Sequence, residues 1–490
     1  MLLRQSKNTY IRIYDDGKLG YITNQLTRHD RTYDEGGADF LAQITRSPIS
    51  VDRAVENLCL LYEDADKETI CRDFLDFAND LEEHKFIVMG DDENELDTKD
   101  LEFSYQVDNP KTYAYDFTQN TNDKPSKTTQ DFLMQHDIKK PRLAGLQFEV
   151  TSRCNERCIH CYIPNNKKNA GFDLSFEKFK FILDQYVDMG GICVTLSGGE
   201  ALMNKDILKM IRYCREKDLQ ISLLTNLITL KDSQIPFLKE ANLSLIQVSL
   251  YSMDAIIHDT ITTVKGSFEK TKIAIEKLHD ADIPVQISCP VMKANKDSYN
   301  DVMRYAESLR MKSQTDYVMM AQADLDTSNL ANRLSLKETE KVVHDIVFYD
   351  ADYENIILEQ EPVSSIPIEE YSEMPLCGAG VNDLCITVNG DVYPCAGWQS
   401  FVVGNIFRQS LKEIWEESPK LKEIRNVKNK NFPQCLLCEA RDYCNMCLVR
   451  NYNESGGNMF KINQHFCDVA FLTKRLVEDW RTKQKRSDND

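Results

Sequence analysis

A repeat of strand and helix between residues 142 and 325 constrains the fold of this 490-residue chain more than any other feature. Short apolar segments predict strands at 145–150, 193–196, 221–225, 245–250, 285–289 and 317–320. Amphipathic segments between them predict helices, which cover roughly 176–187, 205–217, 233–241, 267–281 and 297–310. Such alternation with short connections is typical of a parallel sheet flanked by helices. Because a closed barrel needs eight units, we expect an α/β core that forms a partial, open-sided (β/α)6 barrel.

The distribution of the 16 cysteines divides the chain. Three lie between residues 154 and 161, eight lie between 377 and 467, and five are isolated at positions 59, 71, 193, 214 and 289. The N-terminal residues contain no signal-peptide apolar core, so we expect a reducing, cytoplasmic location. Clustered cysteines in such a compartment indicate metal or redox chemistry rather than disulfides. The isolated cysteines are expected to be packed core residues.

Charge and hydropathy argue against two classes of partner. Acidic residues outnumber basic residues by 78 to 59, which gives a net charge of −19. Non-specific binding to nucleic acid needs a basic surface, so no nucleic-acid partner is expected. No run of 18 apolar residues occurs in the sequence, so no membrane-spanning helix and no membrane partner are expected.

The first cysteine group follows the first predicted barrel strand. Cys154, Cys158 and Cys161 have three and two residues between them and fall in one loop. Three thiolates on a four-iron cluster leave one iron without a protein ligand, and that iron can bind a small molecule. A zinc loop is the alternative interpretation of this spacing taken alone. The next strand ends in a Ser-Gly-Gly-Glu segment, so both motifs lie at the barrel edge that usually carries the chemistry.

These two motifs resemble those of the radical SAM superfamily, over about 180 residues. The resemblance implies that the three cysteines hold a [4Fe-4S] cluster whose fourth iron is chelated by S-adenosylmethionine. One-electron reduction of that sulfonium would give a 5′-deoxyadenosyl radical, which abstracts hydrogen from a substrate. The cofactor supplies this difficult step, while the protein orients the substrate and excludes water.

The resemblance also implies which residues contact S-adenosylmethionine. The segment from Ser197 through Gly198 and Gly199 to Glu200 resembles the motif that receives the methionine amino group, with Glu200 paired to the ammonium. Three further candidates are assigned by position: Asn226 near the ribose, Ser249 facing the cofactor and His160 near the adenine. A strand-end cap or a turn contact is the alternative role for Asn226 and for Ser249.

The second cysteine group resembles a SPASM domain, which carries two auxiliary clusters on peptide-modifying radical SAM enzymes. The dipeptide Asn389-Gly390 between β-branched residues predicts a hairpin within this region. The resemblance assigns Cys377, Cys395 and Cys447 to auxiliary cluster I, and a second set to auxiliary cluster II: Cys435, Cys438, Cys444 and Cys467. With the first cluster this makes three [4Fe-4S] clusters in all.

Two departures from the SPASM pattern leave alternatives open. Only two residues separate Cys444 from Cys447, where the family usually has three. Cys385 is available as the fourth ligand of auxiliary cluster I, but it could equally be a packed strand residue. Taken alone, the segment from Cys435 to Cys447 could also be a zinc knuckle.

Residues 1–90 predict an α+β unit of three strands followed by three helices and a last short strand. That order resembles the winged-helix PqqD-like domain that recognises precursors of ribosomally made peptides. Such domains bind a leader peptide as an added strand, here expected beside the third strand, 31–34, and the third helix. A DNA-reading winged helix or a plain structural cap are the alternatives, and the acidic balance disfavours DNA.

The remaining segments complete the expected domain organisation. Residues 91–141 are polar and predict a linker, and 326–374 predict a bridging helical region that begins with a capping box at Ser335. The SPASM domain is expected over 375–470, 471–490 are expected to form a charged tail, and about the last 15 residues are expected to be frayed.

The combination is typical of a radical SAM enzyme that modifies ribosomal peptides. We expect it to bind a precursor's leader through residues 1–90 and to form a thioether between a cysteine sulfur and an α- or β-carbon of the core peptide. A flavodoxin or a ferredoxin is the expected electron donor. The alternatives are carbon–carbon cross-linking, epimerisation, and a zinc scaffold without activity. Sulfatase maturation is disfavoured because Ala396 stands where those enzymes typically have an Asp.

Overall fold

The computed structural model describes residues 1–14, 17–25, 29–62, 64–102, 140–168, 171–349 and 365–487. Its N-terminal unit contains two three-stranded sheets with the orders β2-β3-β4 and β5-β1-β6. The strands are β1 Leu2–Gln5, β2 Thr9–Tyr14, β3 Leu19–Asn24, β4 His29–Asp34, β5 Ile49–Ser50 and β6 Ile87–Gly90. The three predicted strands and the last short strand are therefore present, and β1 and β5 are additions that the sequence did not reveal.

The second and third helices of this unit each begin after a residue whose side chain caps the first turn. Ser50 caps the second helix by accepting from Arg53 N at 3.2 Å, and Asp66 caps the third by accepting from Thr69 N at 2.9 Å. A fourth helix lies inside the predicted linker, where Asp100 forms a buried ion pair with Arg4. The helices are α1 Glu35–Ala42, α2 Val51–Leu61, α3 Lys67–Glu83 and α4 Glu93–Glu102. The rest of that linker, residues 103–139, lies outside the described part of the chain.

Six parallel strands form the predicted partial barrel, in the order β12-β11-β10-β9-β8-β7. Five of them agree closely with the sequence prediction. The strands are β7 Gly145–Glu149, β8 Cys193–Ser197, β9 Gln220–Thr225, β10 Leu245–Ser249, β11 Gln286–Pro290 and β12 Lys312–Asp316. The connecting helices are α5 Asn165–Lys168, α6 Phe176–Asp188, α7 Ile207–Glu216, α8 Ile235–Ala241, α9 Ala255–Thr262, α10 Ser267–Asp280 and α11 Tyr299–Ser308.

The prediction for the sixth strand is wrong. The apolar segment 317–320 leaves the sheet, and Met319 packs beside Tyr251 and Met292. The polar segment that precedes it forms β12 instead, at the edge of the sheet and paired with β11 alone among the described strands. A short apolar run reads as a buried strand whether or not it enters a sheet, so periodicity placed this element five residues too late.

The cysteine-rich region extends the barrel sheet. Strand β13 (Asp383–Ile386) pairs in parallel with β7, and β14 (Asp391–Tyr393) and β15 (Gly404–Asn405) follow in antiparallel pairing. The hairpin predicted at Asn389-Gly390 is confirmed, and Gly390 has a φ of +81°, a conformation that favours glycine. The helices of this region are α13 Ile368–Glu373, α14 Leu411–Glu417, α15 Pro419–Arg425, α16 Pro433–Leu436 and α17 Leu448–Glu454.

Two long helices pack together behind the barrel. Helix α12 (Leu336–Tyr349) begins with the predicted capping box, in which Ser335 N donates to the Glu338 carboxylate at 2.9 Å. Helix α18 spans Gln464–Ser487, so the prediction that about the last 15 residues are frayed is wrong up to residue 487. Its Val477 is fully buried and packs in one cluster with Val343 of α12, which explains why this charged segment stays helical.

The N-terminal unit docks against the edge of the barrel where the strands begin. Arg12 Nε donates to Gly191 O at 3.1 Å, and the Tyr14 hydroxyl donates to Gly190 O at 3.0 Å, just before β8. Arg46 Nε pairs with the Asp218 carboxylate at 2.8 Å, just before β9. This edge is opposite the strand ends that precede the first cysteine loop. Within the described residues, none of the helices combines the length and the apolar composition needed to cross a membrane.

Candidate active site

The first cysteine loop is fixed by its own backbone. The carbonyls of Thr151 and Arg153 accept hydrogen bonds from the Gly-Gly-Glu segment at 2.9 and 2.8 Å. On the other side, the N–H groups of Arg157 and Ile159 donate to the last turn of α9 at 3.0 Å each. Arg153 also pairs with the Asp173 carboxylate at 2.6 Å. These contacts within the protein hold the loop at the carboxyl ends of β7 and β8 without the help of a ligand.

Two glycines allow that close approach. A Cβ atom added at Gly198, whose φ is +141°, would lie 2.4 Å from Thr151 O. One added at Gly199 would lie 2.3 Å from Arg153 O and 2.9 Å from the Cβ atom of Cys154. Both distances are shorter than van der Waals contact, so only glycine leaves room for the loop here. In this structure the glycines therefore serve the packing of the cysteine loop itself.

The three loop cysteines are half-buried and lie near one another. Burial raises the pKa of Cys154 to about 11, and it also raises the pKa of Cys158 well above its ordinary value. The neighbouring carboxylate of Glu156 and the thiolate of Cys161 add to the shift at Cys158. Mutually repelling thiolates in a partly desolvated loop are a donor set that a cationic iron–sulfur core would stabilise.

Glu200 is buried, with 2% of its surface exposed, and its carboxylate is already engaged. It accepts hydrogen bonds from Leu202 N at 2.9 Å, from the Thr225 hydroxyl at 2.6 Å and from Asn226 N at 2.7 Å. Burial raises its pKa against the effect of these donors. A carboxylate has about four lone-pair sites, so one site remains for a ligand ammonium. The predicted partner of the methionine amino group thus also ties the end of β8 to the end of β9.

Asn226 and Ser249 follow or end the next two strands, as predicted. The side-chain nitrogen of Asn226 donates to Asn155 Oδ1 at 2.7 Å, inside the first cysteine loop. The Ser249 hydroxyl hydrogen-bonds with the buried phenol of Tyr251, which lies 3.9 Å from the Cys158 sulfur. Asn226 therefore contacts the cysteine loop directly, whereas Ser249 reaches it through Tyr251.

His160 offers a free hydrogen-bonding atom beside the cysteines. Its Nδ1 is buried and has no hydrogen-bond partner among the described residues. The ring stands edge-on to Tyr251 with centroids 5.0 Å apart. Burial, helped by the positive charge of Lys168, lowers the pKa of His160 to about 4, so the ring is neutral at pH 7. A neutral ring with an orphaned nitrogen fits a heterocyclic ligand such as adenine.

The inner face of the partial barrel is polar. Successive residues of each strand face opposite sides of the sheet. The set that includes Phe148 packs on the helices, and the ring centroids of Phe148 and Phe179 lie 4.7 Å apart. The other set faces the concave side and consists largely of polar residues: Gln147, Glu149, Thr195, Ser197, Ser222, Gln247, Ser249, Gln286, Ser288 and Gln314. Such a lining suits a substrate that carries hydrogen-bonding groups, as a peptide backbone does.

The cysteines assigned to auxiliary cluster II form one group in the structure. Burial raises the pKa of Cys435 to about 11, and the negative charges of three neighbouring thiolates contribute to this rise. They belong to Cys444, Cys467 and Cys438. Cys467 is influenced in turn by Cys444 and Cys438. The chain thus brings together residues from the start of α16 to the first turns of α18, which sequence spacing alone left far apart.

A second group contains the residues assigned to auxiliary cluster I. Burial raises the pKa of Cys395 to about 11, with contributions from the thiolates of Cys447 and Cys377. Cys385 lies in β13 with 1% of its surface exposed. Burial raises its pKa, and the negative charges of Glu149 and Cys395 add to the rise. Among the described cysteines it therefore stands at the margin of this group rather than inside it.

The two groups do not have the geometry of a single-ion site. Within the described ranges, no three His, Cys, Asp or Glu side chains converge closely enough to bind one metal ion.

Two buried charged residues near the site were missed in the sequence. Glu149 ends β7 with 9% of its surface exposed, and burial raises its pKa to about 7. Lys168 ends α5 with 3% exposed. The burial of Glu149 could have been inferred from the sequence, because it is a charged residue within a predicted apolar strand. Nothing in the local pattern distinguished Lys168 from its exposed neighbour Lys167.

Comparison with known families identifies the two cysteine-bearing regions. The Radical SAM superfamily profile matches residues 148–306, and the profile of an iron–sulfur cluster-binding domain, SPASM, matches residues 377–440. The chain is an enzyme of the radical SAM type. Domains of these two kinds bind S-adenosylmethionine and iron–sulfur clusters, which are therefore cofactors of this radical SAM enzyme.

Relatives of this radical SAM enzyme include a heme synthase and a protein of bacteriocin biosynthesis. An AdoMet-dependent heme synthase of Methanosarcina barkeri is 27% identical over 335 residues, 64% of this chain and 93% of that protein. The subtilosin biosynthesis protein AlbA of Bacillus subtilis is 27% identical over 318 residues, 63% of this chain and 68% of that protein. Streptococcus suis SuiB bound to its precursor peptide SuiA shares the fold, with a TM-score of 0.62, 18% identity and coverage of 91% of this chain and 96% of SuiB.

Proposed function

We propose that this radical SAM enzyme modifies a ribosomally made peptide, whose leader it binds through residues 1–90, and that it closes a thioether in the core peptide. The observation that carries the proposal is that β4 lies at the edge of the sheet β2-β3-β4 of the N-terminal unit. Among the described strands, β4 pairs with β3 alone. An exposed edge of this kind is a template for an added strand.

The surface beside that edge has the character of a peptide groove. Tyr33 of β4 and Phe77 of α3 stand edge-on with centroids 4.9 Å apart. Arg31 of β4 forms an ion pair with Asp80 of α3. An extended peptide laid along β4 would thus meet backbone hydrogen-bonding groups on one side and a mixed aromatic and charged wall on the other. This arrangement supports the PqqD-like assignment of residues 1–90.

Similarity to known proteins also favours a peptide substrate. The heme synthase relative has no counterpart for about a third of this chain, whereas the fold of SuiB covers all but 9% of it. Because 9% of 490 residues is fewer than the 102 that end at α4, the shared fold includes part of the N-terminal unit. AlbA takes part in subtilosin biosynthesis, and SuiB binds a precursor peptide.

The proposed chemistry assigns roles to residues of the first site. Cys154, Cys158 and Cys161 would hold a [4Fe-4S] cluster, which with S-adenosylmethionine supplies a 5′-deoxyadenosyl radical. Glu200 would accept the methionine ammonium, while the neutral His160 ring would hydrogen-bond the adenine. The polar inner face of the barrel would hold the core peptide in place. A flavodoxin or a ferredoxin would deliver electrons to the three proposed clusters.

Tetrapyrrole chemistry is the second candidate function, because the heme synthase match spans 93% of that relative. Carbon–carbon cross-linking and epimerisation are rival peptide reactions. Sulfatase maturation remains disfavoured by Ala396, which follows Cys395 and has no side chain that could act as a base.

Mass spectrometry of a reconstituted reaction separates these candidates. The substrate would be the product of a short, cysteine-containing reading frame beside the gene. A thioether removes two hydrogens and one alkylatable thiol. Carbon–carbon cross-linking removes two hydrogens but leaves the thiol. Epimerisation leaves the mass unchanged in H2O and introduces one solvent deuterium in D2O. Conversion of an iron porphyrin without any peptide modification would overturn the proposal in favour of the second candidate.

A further inference from the structure

A short segment that follows the last barrel strand holds the backbone of the first cysteine loop. It consists of a 3-10 helix and the arginine after it, residues 328–333, and we call it the connecting segment. The side-chain nitrogen of Asn332 donates to Ile159 O at 3.2 Å, and that of Asn329 donates to His160 O at 3.3 Å. The two carbonyls between the second and third loop cysteines are therefore both engaged by this segment.

Further contacts fix the same stretch of the loop. Leu330 of the connecting segment and Ile159 of the loop pack against one small buried cluster. Shortly before the segment, Ala323 N donates to Tyr162 O at 2.8 Å, directly after the last loop cysteine. Neighbouring hydrogen bonds and apolar contacts reinforce one another, so the loop backbone should follow any shift of the connecting segment.

Arg333 ties the connecting segment to the cysteine-rich C-terminal region. Its Nη1 donates to Glu454 Oε2 at 2.9 Å, and its Nη2 donates to the other carboxylate oxygen. The side chains of this pair are only 11% and 13% exposed. The same guanidinium lies over the ring of Phe466, 5.3 Å from its centroid and next to Cys467 in the chain. A bidentate, largely buried pair fixes both distance and orientation, and removal of one partner leaves a buried charge uncompensated.

Glu454 lies beside backbone that carries two of the cysteines assigned to auxiliary cluster I. It ends α17, the helix that begins directly after Cys447. Its neighbour Asn453 is fully buried and donates to Gly397 O at 2.9 Å, two residues after Cys395. Hydrogen bonds, one ion pair and adjacent residues of the chain therefore form a contiguous path between the first cysteine loop and this part of the C-terminal region.

We infer that the connecting segment positions the first cysteine loop, and that its ion pair with Glu454 makes this position depend on the C-terminal cysteine-rich region. Four side chains act as positioning residues: Asn329, Asn332, Arg333 and Glu454. Because His160 lies in the stretch of loop that they hold, a shift of the backbone displaces its ring and weakens the binding of S-adenosylmethionine. The inference rests on the proposed roles of the loop cysteines and of His160.

Glu454→Gln tests the inference in the anaerobically reconstituted full-length enzyme, because it keeps the size of the side chain and removes its charge. Cleavage of S-adenosylmethionine by the dithionite-reduced enzyme is measured without peptide, where slow chemistry brings KM close to the dissociation constant. We expect this KM to rise by about tenfold, while kcat per loaded first cluster stays close to wild type. Hydrogen exchange in residues 157–162, measured by mass spectrometry, should become faster by about tenfold.

Glu340→Gln is the matched control. Glu340 pairs with Arg475 at 2.7 Å between α12 and α18, and both side chains are exposed, so the same substitution removes a surface pair. The control should keep the wild-type KM and the wild-type exchange of the loop. Asn332→Leu, which removes the donor to Ile159 O, should reproduce both effects of Glu454→Gln.

Each result supports or overturns the inference. If either the KM or the loop exchange of Glu454→Gln equals that of Glu340→Gln, the inference is overturned. A fall in kcat with an unchanged KM also overturns it, because loss of folded enzyme explains that result. If Glu454→Gln does not retain iron, exchange is compared between iron-free full-length chains. Faster exchange confined to the loop and the connecting segment then supports the inference, whereas faster exchange throughout the chain shows general packing and overturns it. A wild-type enzyme that does not cleave S-adenosylmethionine contradicts the proposed function instead, and loop exchange then decides the inference.

Discussion

Gln399 donates a hydrogen bond from its side-chain nitrogen to the carboxylate of Glu149. The contact joins the cysteine-rich C-terminal region to the end of the first barrel strand, directly before the first cysteine loop. Lys167 extends the chain of contacts by donating to Gln399 Oε1 at 3.0 Å. The two regions of this enzyme that carry cysteines thus share a buried polar connection as well as the pairing of β13 with β7.

The Glu149 carboxyl should make stability fall as pH rises. Burial raises its pKa from 4.5 to about 7, so the folded state keeps a proton that the unfolded state has lost. The contribution is neutral below about pH 4.5, becomes increasingly destabilising up to about pH 7 and is then constant, at no more than about 3 kcal/mol. Glu149→Gln keeps the acceptor for Gln399 and removes the titration.

This prediction is checked by unfolding wild type and Glu149→Gln in denaturant at several pH values. The difference between their free energies of unfolding should grow in favour of the variant between about pH 4.5 and 7. Burial also raises the pKa of Glu156 to about 7. Because Glu156 is present in both proteins, its contribution cancels from the difference. A difference that does not change with pH would mean that Glu149 titrates in its ordinary range.

Gly199→Ala should reduce the iron content of the first site. The added Cβ atom would lie 2.3 Å from Arg153 O, which forces the cysteine loop away from β8. Gly36→Ala is the matched control, because its Cβ atom meets nothing closer than the Tyr62 hydroxyl at 3.4 Å. Iron and sulfide analysis after anaerobic reconstitution should show a loss of about four irons in the first variant and none in the control. Full iron loading of Gly199→Ala would show that the loop tolerates displacement.

Cys385 and Cys395 should respond differently to removal of the thiol. Cys395 lies among the cysteines assigned to auxiliary cluster I, so Cys395→Ala should lose about four irons. Cys385 is buried in β13 and has one cysteine neighbour that acts on it, Cys395. Cys385→Ala should keep the iron and cost about 1 kcal/mol of stability through lost packing. Equal iron loss in both variants would establish Cys385 as a ligand.

Features of this structure could be predicted from the sequence when the interacting residues lie close together along the chain. Helix caps such as Ser50 and Asp66 were predictable because the capping residue and its partner are three positions apart. The first cysteine loop could be recognised for the same reason, since its three cysteines lie within eight residues. By contrast, β13 joins the barrel through pairing with a strand more than 200 positions earlier, for which no local pattern exists.

The burial of Lys168 was hidden for the same physical reason. Lys167 and Lys168 are adjacent, identical in chemistry and both on α5, yet one is exposed and the other is buried. Only the tertiary environment separates them. The helical tail after residue 471 was missed because its charged composition indicates fraying, whereas burial of Val477 against α12 outweighs that tendency.

Asp218 should anchor the N-terminal unit to the barrel. Its carboxylate pairs with Arg46 at 2.8 Å and with Arg12 at 3.5 Å, and its φ of +54° is a conformation that Asn tolerates. Asp218→Asn therefore removes the charge without straining the backbone. Because these pairs are partly exposed, we expect a loss of about 1 kcal/mol, seen as faster hydrogen exchange in β2.

Asp282→Asn is the matched control, since Asp282 has the same backbone conformation, with a φ of +54°, but forms only an exposed pair with Lys239 at 3.2 Å. Exchange in β2 that is equal in the two variants would show that the aromatic and backbone contacts of Tyr14 and Arg12 are sufficient for docking.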